Sequence, residues 1–94
     1  MSTTDPVIIY GTTTCGYCGA ARMLLTKKSV EITDILITDD PSLRTEMEQR
    51  SGRRTVPQIF VGNHHVGGFD DLYALEQGGQ LDKLLARKTG NLNQ

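Results

Sequence analysis

The chain contains two cysteines, and they stand three residues apart in Thr14-Cys15-Gly16-Tyr17-Cys18. A short apolar run, Val7-Ile8-Ile9-Tyr10, precedes them, and a helical pattern of Tyr17, Ala21, Leu24 and Leu25 follows. The pair is therefore expected in a strand-to-helix turn, where backbone N–H groups lack intrahelical partners and the helix dipole presents partial positive charge. A thiolate is stabilised in such a place, and the thiolate is the form of cysteine that attacks sulfur or binds metal. Residues three apart on a helix share a face, so Cys18 can reach whatever forms on Cys15.

With 94 residues the chain is long enough for one small domain and too short for two, so residues 1–94 are expected to form a single domain with its core over about 7–86. The formal net charge of −1 offers no footprint for nucleic acid and no basic membrane patch. No apolar run approaches the roughly 20 residues of a membrane-spanning helix. Met1 to Pro6 has neither the basic residue nor the apolar stretch of a signal peptide, so a cytoplasmic location is expected. In a reducing compartment, Cys-x-x-Cys points to catalysis or metal binding, and a loop this short would staple little of the unfolded chain.

Along the chain, Val7–Tyr10 reads as a strand buried on both faces. A helix is expected from Gly16 to Lys28, and a second strand over Ile32–Ile37. Asp39-Asp40-Pro41 then starts a helix that Gly52 ends. Pro57 belongs at the start of a strand over Gln58–Val61, since proline cannot donate to a ladder. Gly62-Asn63 turns the chain into a returning strand, His64–Val66. Asp70 and Asp71 open a helix that closes at Gly78-Gly79. Leu81, Leu84 and Leu85 mark a last helix, and Thr89–Gln94 reads as a flexible tail. The order β-α-β-α-β-β-α-α predicts an α/β fold: a four-stranded mixed sheet flanked by helices on both faces, with Cys15 at the C-terminal end of a strand. Arg44, Glu46, Glu48 and Arg50 read as a solvated helix face, and Tyr10, Phe60 and Tyr73 as core or edge aromatics.

Three motifs in order carry a resemblance: Cys15-Gly16-Tyr17-Cys18 after the first strand, Thr55-Val56-Pro57 entering the third, and Gly67-Gly68-Phe69-Asp70-Asp71 after the fourth. Together they resemble the glutaredoxins, in particular the small bacterial dithiol ones, over about residues 7–86. The resemblance implies the thioredoxin fold and glutathione-dependent reduction of protein disulfides and of protein–glutathione mixed disulfides, in the service of electron transport and cell redox homeostasis. It implies Cys15 as nucleophile and Cys18 as resolving thiol. It implies a glutathione site drawn from Thr12, Cys15, Tyr17, Thr55, Val56, a cis Pro57, Gly68, Phe69, Asp70 and Asp71. Its partners would be glutathione and disulfide-bonded or glutathionylated proteins, with the chain acting as a monomer.

The sequence departs from that pattern twice. Gly16 stands where many relatives carry proline. The lost restraint is worth about 0.4–1 kcal/mol, which could move the redox potential by roughly 10–20 mV. Cys-Gly-Tyr-Cys also resembles the motif of glutaredoxins that hold a [2Fe–2S] cluster between two subunits through the first cysteine of each, here Cys15, and two glutathiones. Thr12 stands where many relatives carry lysine, so Cys15 is expected to be less acidic than theirs, with Arg54 supplying the contact to the glutathione carboxylate. A Cys15/Cys18/His64/His65 zinc site is disfavoured, because adjacent strand residues point to opposite faces. One histidine is expected packed and the other in solvent.

Overall fold

Val7–Gly11 forms β1, the strand from which the other elements are placed. A computed structural model describes residues 6–85. The lead-in before Pro6, the tail expected over Thr89–Gln94, and the end of the expected core at Ala86 lie outside the described residues. After β1 come α1 (Gly16–Lys27), β2 (Ile32–Leu36), α2 (Pro41–Ser51), β3 (Gln58–Val61), β4 (His64–Gly67), α3 (Phe69–Gln77) and α4 (Gln80–Leu85). The sheet order is β2-β1-β3-β4, with β1 and β2 parallel and the two remaining pairs antiparallel. This is the four-stranded mixed sheet that the pattern predicts. A parallel β1–β2 pair requires a crossover connection, and α1 provides it.

Alternation along β1 sends its side chains to two helical layers. Val7 and Ile9 join Ile59 and Val61 against Ala21 and Leu25 of α1, Leu72 of α3, and Leu81 and Leu85 of α4. Tyr10 joins Phe60, Ile37 and Met47 of α2 on the opposite face, with Ile8, Ile35 and Leu43 packed around them. Helices therefore cover both faces, and Ile9, Leu25, Ile59, Leu72 and Leu81 are wholly buried.

The local signals account for the element boundaries. Asp40 caps α2 by accepting a hydrogen bond from the Ser42 N–H at 2.9 Å, with Pro41 behind it at the first helical position. α3 starts at Phe69, one residue before the expected pair of aspartates. Asp71 reaches back one turn, and its carboxylate accepts the Gly68 N–H at 3.0 Å, so the acid belongs inside the first turn. Gly67, at φ +117°, makes the bend into α3; a Cβ there would fall 2.3 Å from the Asp71 carboxylate oxygen. Tyr73, expected in the core or at its edge, is instead 48% exposed, while Tyr10 and Phe60 are buried.

Candidate active site

Cys15 is the N-cap of α1, in extended backbone (φ −91°, ψ 122°), and no side chain caps the helix there. The free N–H groups of the first turn are therefore left to the cysteine sulfur. Cys15 is half-buried and Cys18 fully buried, and both are free thiols. Burial works against charge on Cys15. It is outweighed by the Cys18 backbone N–H and thiol, the Tyr17 backbone N–H and, last, the Arg22 charge, and the Cys15 thiol is held below its ordinary value. For Cys18, burial dominates and the neighbouring Cys15 adds to it, so its thiol is pushed up despite the Thr12 backbone and, last, the Arg22 charge. One sulfur is half-exposed and favoured as thiolate, the other buried and favoured as thiol.

Beside Cys15 runs an open groove of about 240 Å³, lined by Tyr17, Arg53, Thr55, Val56, Pro57, Gly68, Phe69, Asp70 and Asp71. Its floor is the Val56–Pro57 peptide, which is cis, and the Cys15 sulfur lies 3.9 Å from the Val56 carbonyl oxygen. Val56 lies just outside the ladder, whose last β1–β3 pair is Tyr10–Gln58. One end of the groove is the start of α3. The other flank is an aromatic row, with Tyr17 6.1 Å from Phe69 and Phe69 stacked 5.8 Å from Tyr73 between ring centres.

The structure thus brings the three sequence motifs to one place, with two differences from the sequence reading. Thr12 does not line the groove; it lies toward Arg22, whose guanidinium donates to the Thr12 carbonyl at 3.2 Å. Arg53, not Arg54, supplies the groove's cation, pairing with Asp71 at 3.1 Å. Arg54 is exposed, and its carbonyl accepts from Arg44. The Gly68 N–H first, and Arg53 second, hold the Asp71 carboxyl below its ordinary value.

A second arrangement, absent from the sequence reading, anchors the floor. Gln58 is wholly buried, and its amide donates to the Thr55 carbonyl at 2.9 Å and to the Thr55 hydroxyl at 3.2 Å. Its carbonyl lies 2.7 Å from His65 Nε2, so that nitrogen carries a proton. His65 also packs on Phe60, 4.9 Å between ring centres, while His64 is exposed, so one histidine is packed and the other solvated as expected. Among the described residues no group of three or more His, Cys, Asp or Glu converges as a metal site. No helix among them is long and apolar enough to cross a membrane.

Comparison with known proteins gives a consistent result. Residues 7–66 match the family model for glutaredoxin. The chain is 49% identical over 81 residues to a glutaredoxin of Pseudomonas aeruginosa, covering 86% of this chain and 96% of that one. It is 51% identical over 79 residues to glutaredoxin 3 of Escherichia coli K12, covering 84% and 95%. Among solved structures, a glutaredoxin from Brucella melitensis is 52% identical and covers 96% of each chain, with a TM-score of 0.78. A buckwheat glutaredoxin–glutathione complex is 27% identical and covers 86% of this chain and 76% of its own, with a TM-score of 0.79.

Proposed function

The chain belongs to the glutaredoxin family of thiol–disulfide oxidoreductases, and we propose that it takes its electrons from glutathione and passes them to protein disulfides and protein–glutathione mixed disulfides. The observation that carries this reading is the groove: it joins an activated, half-exposed Cys15 to a backbone edge at Val56 and a helix start at Asp70 and Asp71. An extended tripeptide can add as a strand along Val56, placing its own cysteine at Cys15. Its γ-glutamyl carboxylate would meet the N–H groups at the start of α3, and its ammonium the aspartates. Arg53, which pairs with Asp71 at that end, would add its charge to the γ-glutamyl carboxylate site. The buckwheat relative, solved as a glutathione complex, supports the same ligand.

In the shorter route the Cys15 thiolate attacks the glutathione sulfur of a mixed disulfide. The protein thiolate leaves and takes a proton from solvent. A second glutathione thiolate then attacks the glutathione sulfur bonded to Cys15; oxidised glutathione departs and Cys15 leaves as thiolate. Cys15 is a good leaving group here because its pKa is lowered. In the longer route Cys15 attacks a protein disulfide, Cys18 displaces the substrate sulfur to close Cys15–Cys18, and two glutathiones reopen the bond. The chain acts in these routes as a monomeric single domain in the cytoplasm.

A second reading adds a [2Fe–2S] cluster. One chain does not fit it alone, because Cys15 is the accessible thiol and Cys18 is wholly buried. It requires a dimer with Cys15 of each subunit and two glutathiones. A Cβ at Gly16 would meet no atom within 4 Å, which leaves room for such an approach. A brown dimer purified without oxygen would support it, and a colourless monomer would remove it.

The main reading is tested with two serine variants and two substrates. Cys15→Ser should lose both activities. Cys18→Ser should keep mixed-disulfide reduction and lose protein-disulfide reduction. Glutathione labelling confined to Cys18 would overturn the assignment.

A further inference from the structure

Arg22 lies four residues after Cys18 on the same face of α1. Its Nε donates to Asp34 Oδ2 at 2.7 Å, and its Nη2 to Asp34 Oδ1 at 3.1 Å and to the Thr12 carbonyl at 3.2 Å. Such a two-pronged pair fixes the plane of a guanidinium as a single contact does not. Asp34 is placed by the sheet, opposite Ile9 in the β1–β2 register. Gly11 shows where the held group points. A Cβ at Gly11 would lie 2.8 Å from the Cys18 sulfur and 3.3 Å from Arg22 Nη2. The sulfur and the guanidinium therefore converge on the same patch of β1 backbone, and a side chain at position 11 would displace one or both. The Asp34 side chain is 39% exposed and that of Arg22 23%, so solvent screens the acid more than the base.

We propose that Arg22, clamped by Asp34, is the cation that assists Cys18 whenever its buried sulfur must carry charge, so that it serves the two-cysteine route in preference to the route of Cys15 alone. Charge develops on Cys18 at two moments. In the first, Cys18 gives its proton to solvent and attacks the Cys15 sulfur of a Cys15–substrate disulfide. The Cys18–Cys15 bond forms, the Cys15–substrate bond breaks, and the substrate sulfur leaves with the electron pair. In the second, a glutathione thiolate attacks the Cys15 sulfur and Cys18 leaves as thiolate. Cys18 is wholly buried, so water cannot solvate that charge, and Thr12 brings no cation of its own. Cys15, on the groove side of the turn, is half-buried and served chiefly by helix N–H groups and the Cys18 thiol, with the Arg22 charge its last and smallest support.

The inference rests on the glutathione reading above, and its test keeps the two apart. Arg22→Gln should slow reduction of insulin disulfides by about three- to tenfold, the effect of one partly screened charge on a reacting group. Reduction of a cysteine–glutathione mixed disulfide should fall by less than about twofold, since solvent screens the charge more at half-buried Cys15 than at wholly buried Cys18. Acid quenching of a single turnover should trap Cys15 bonded to substrate in Arg22→Gln, and Arg22→Lys should restore most of the lost rate. If circular dichroism shows Arg22→Gln unfolded, Asp34→Asn, which frees the guanidinium without removing it, should give the same split at smaller size. Equal loss in both assays, or no loss in either, would overturn the role of Arg22. An unsubstituted protein inactive in both assays would instead overturn the glutathione reading.

Discussion

On one face of the sheet, Val7, Ile9, Ile59 and Val61 meet alanine and leucine side chains from α1, α3 and α4 in an apolar buried cluster, with the ion pairs of Arg22 to Asp34 and of Lys28 to Glu76 and Asp82 at its partly exposed rim. On the other face, Tyr10 and Phe60 meet α2, which brings one buried residue, Met47, together with Glu46 and Arg50 from its polar side. The Tyr10 hydroxyl donates to Glu46 and accepts from Arg50 at 2.7 Å, and the Arg50 guanidinium lies 4.4 Å from the Phe60 ring centre. Further along this face Gln58 links His65 to Thr55. The first layer is held by shape and area, the second by a few directed contacts.

That difference matches what each layer supports. The apolar layer carries α1 and α3, whose first turns set Cys15 and the Asp70–Asp71 end of the groove, so the spacing of the two ends follows from leucine packing. The directed layer carries the floor between them, because Gln58 holds Thr55 directly before Val56 and Pro57. Losses of packing on the first face should therefore cost stability broadly, whereas losses on the second should be smaller and tied to named groups.

The largest effect should come from Leu25→Ala. Leu25 is wholly buried in the apolar layer, and such truncations cost about 2–5 kcal/mol through lost transfer energy and the cavity left behind. Met47→Ala on the other face should fall at the low end of that range. Met47 is the one buried residue of α2, which can settle inward around the gap. Urea midpoints at unchanged m-value would check the order. A Met47→Ala loss greater than that of Leu25→Ala would break the distinction between the faces.

Much of this was legible in the sequence because local rules and the global fold agree. Asp40-Pro41 and Gly52 bracket α2 as capping rules require, and β-branched runs and glycine turns give four strands with boundaries shifted by at most a residue or so. What could not be read depends on direction across space. Arg53 and Arg54 are neighbours in one loop, and only the turn after Ser51, whose hydroxyl accepts the Arg53 N–H, decides which faces the groove. Glu46 and Arg50 sit on an exposed helix face, as their pattern predicts, but their meeting with Tyr10 depends on how α2 lies across β1. Gln58 reads as a polar residue opening a strand, and nothing local signals that it is buried with His65 and Thr55.

Tyr10→Phe sharpens the comparison at intermediate size. It removes a hydroxyl that links Glu46 and Arg50 while leaving the ring packed edge-on against Phe60 at 5.9 Å. Glu46 and Arg50 are both exposed and can turn to water, so the loss should be about 1 kcal/mol, the usual net worth of such a bond. Thermal melts would check it. A loss comparable to Leu25→Ala would mean that the second face, too, is held chiefly by close packing.

The smallest effect concerns pH and belongs to the second face alone. Burial chiefly, then Arg53, keeps the His65 imidazole below its ordinary value of 6.5, with Asp71 opposing and His64 adding slightly. As pH falls through 6.5 the unfolded chain takes up its proton first, so stability should decline below that point and level off once the folded imidazole is also protonated. Protonation leaves the Nε2–H bond to Gln58 intact, so the decline should be gentle and the fold retained. Asp40 and Asp71, both held below their ordinary 3.8, lose their contributions only in more acidic solution and do not overlap this window. Urea unfolding at about pH 7.5 and about pH 5.5 should show the decline in the unsubstituted protein and a flatter response in His65→Gln, whatever constant offset the substitution adds. An equal decline in both would assign the pH response to groups outside the His65–Gln58–Thr55 chain and leave that chain a purely geometric support for the groove floor.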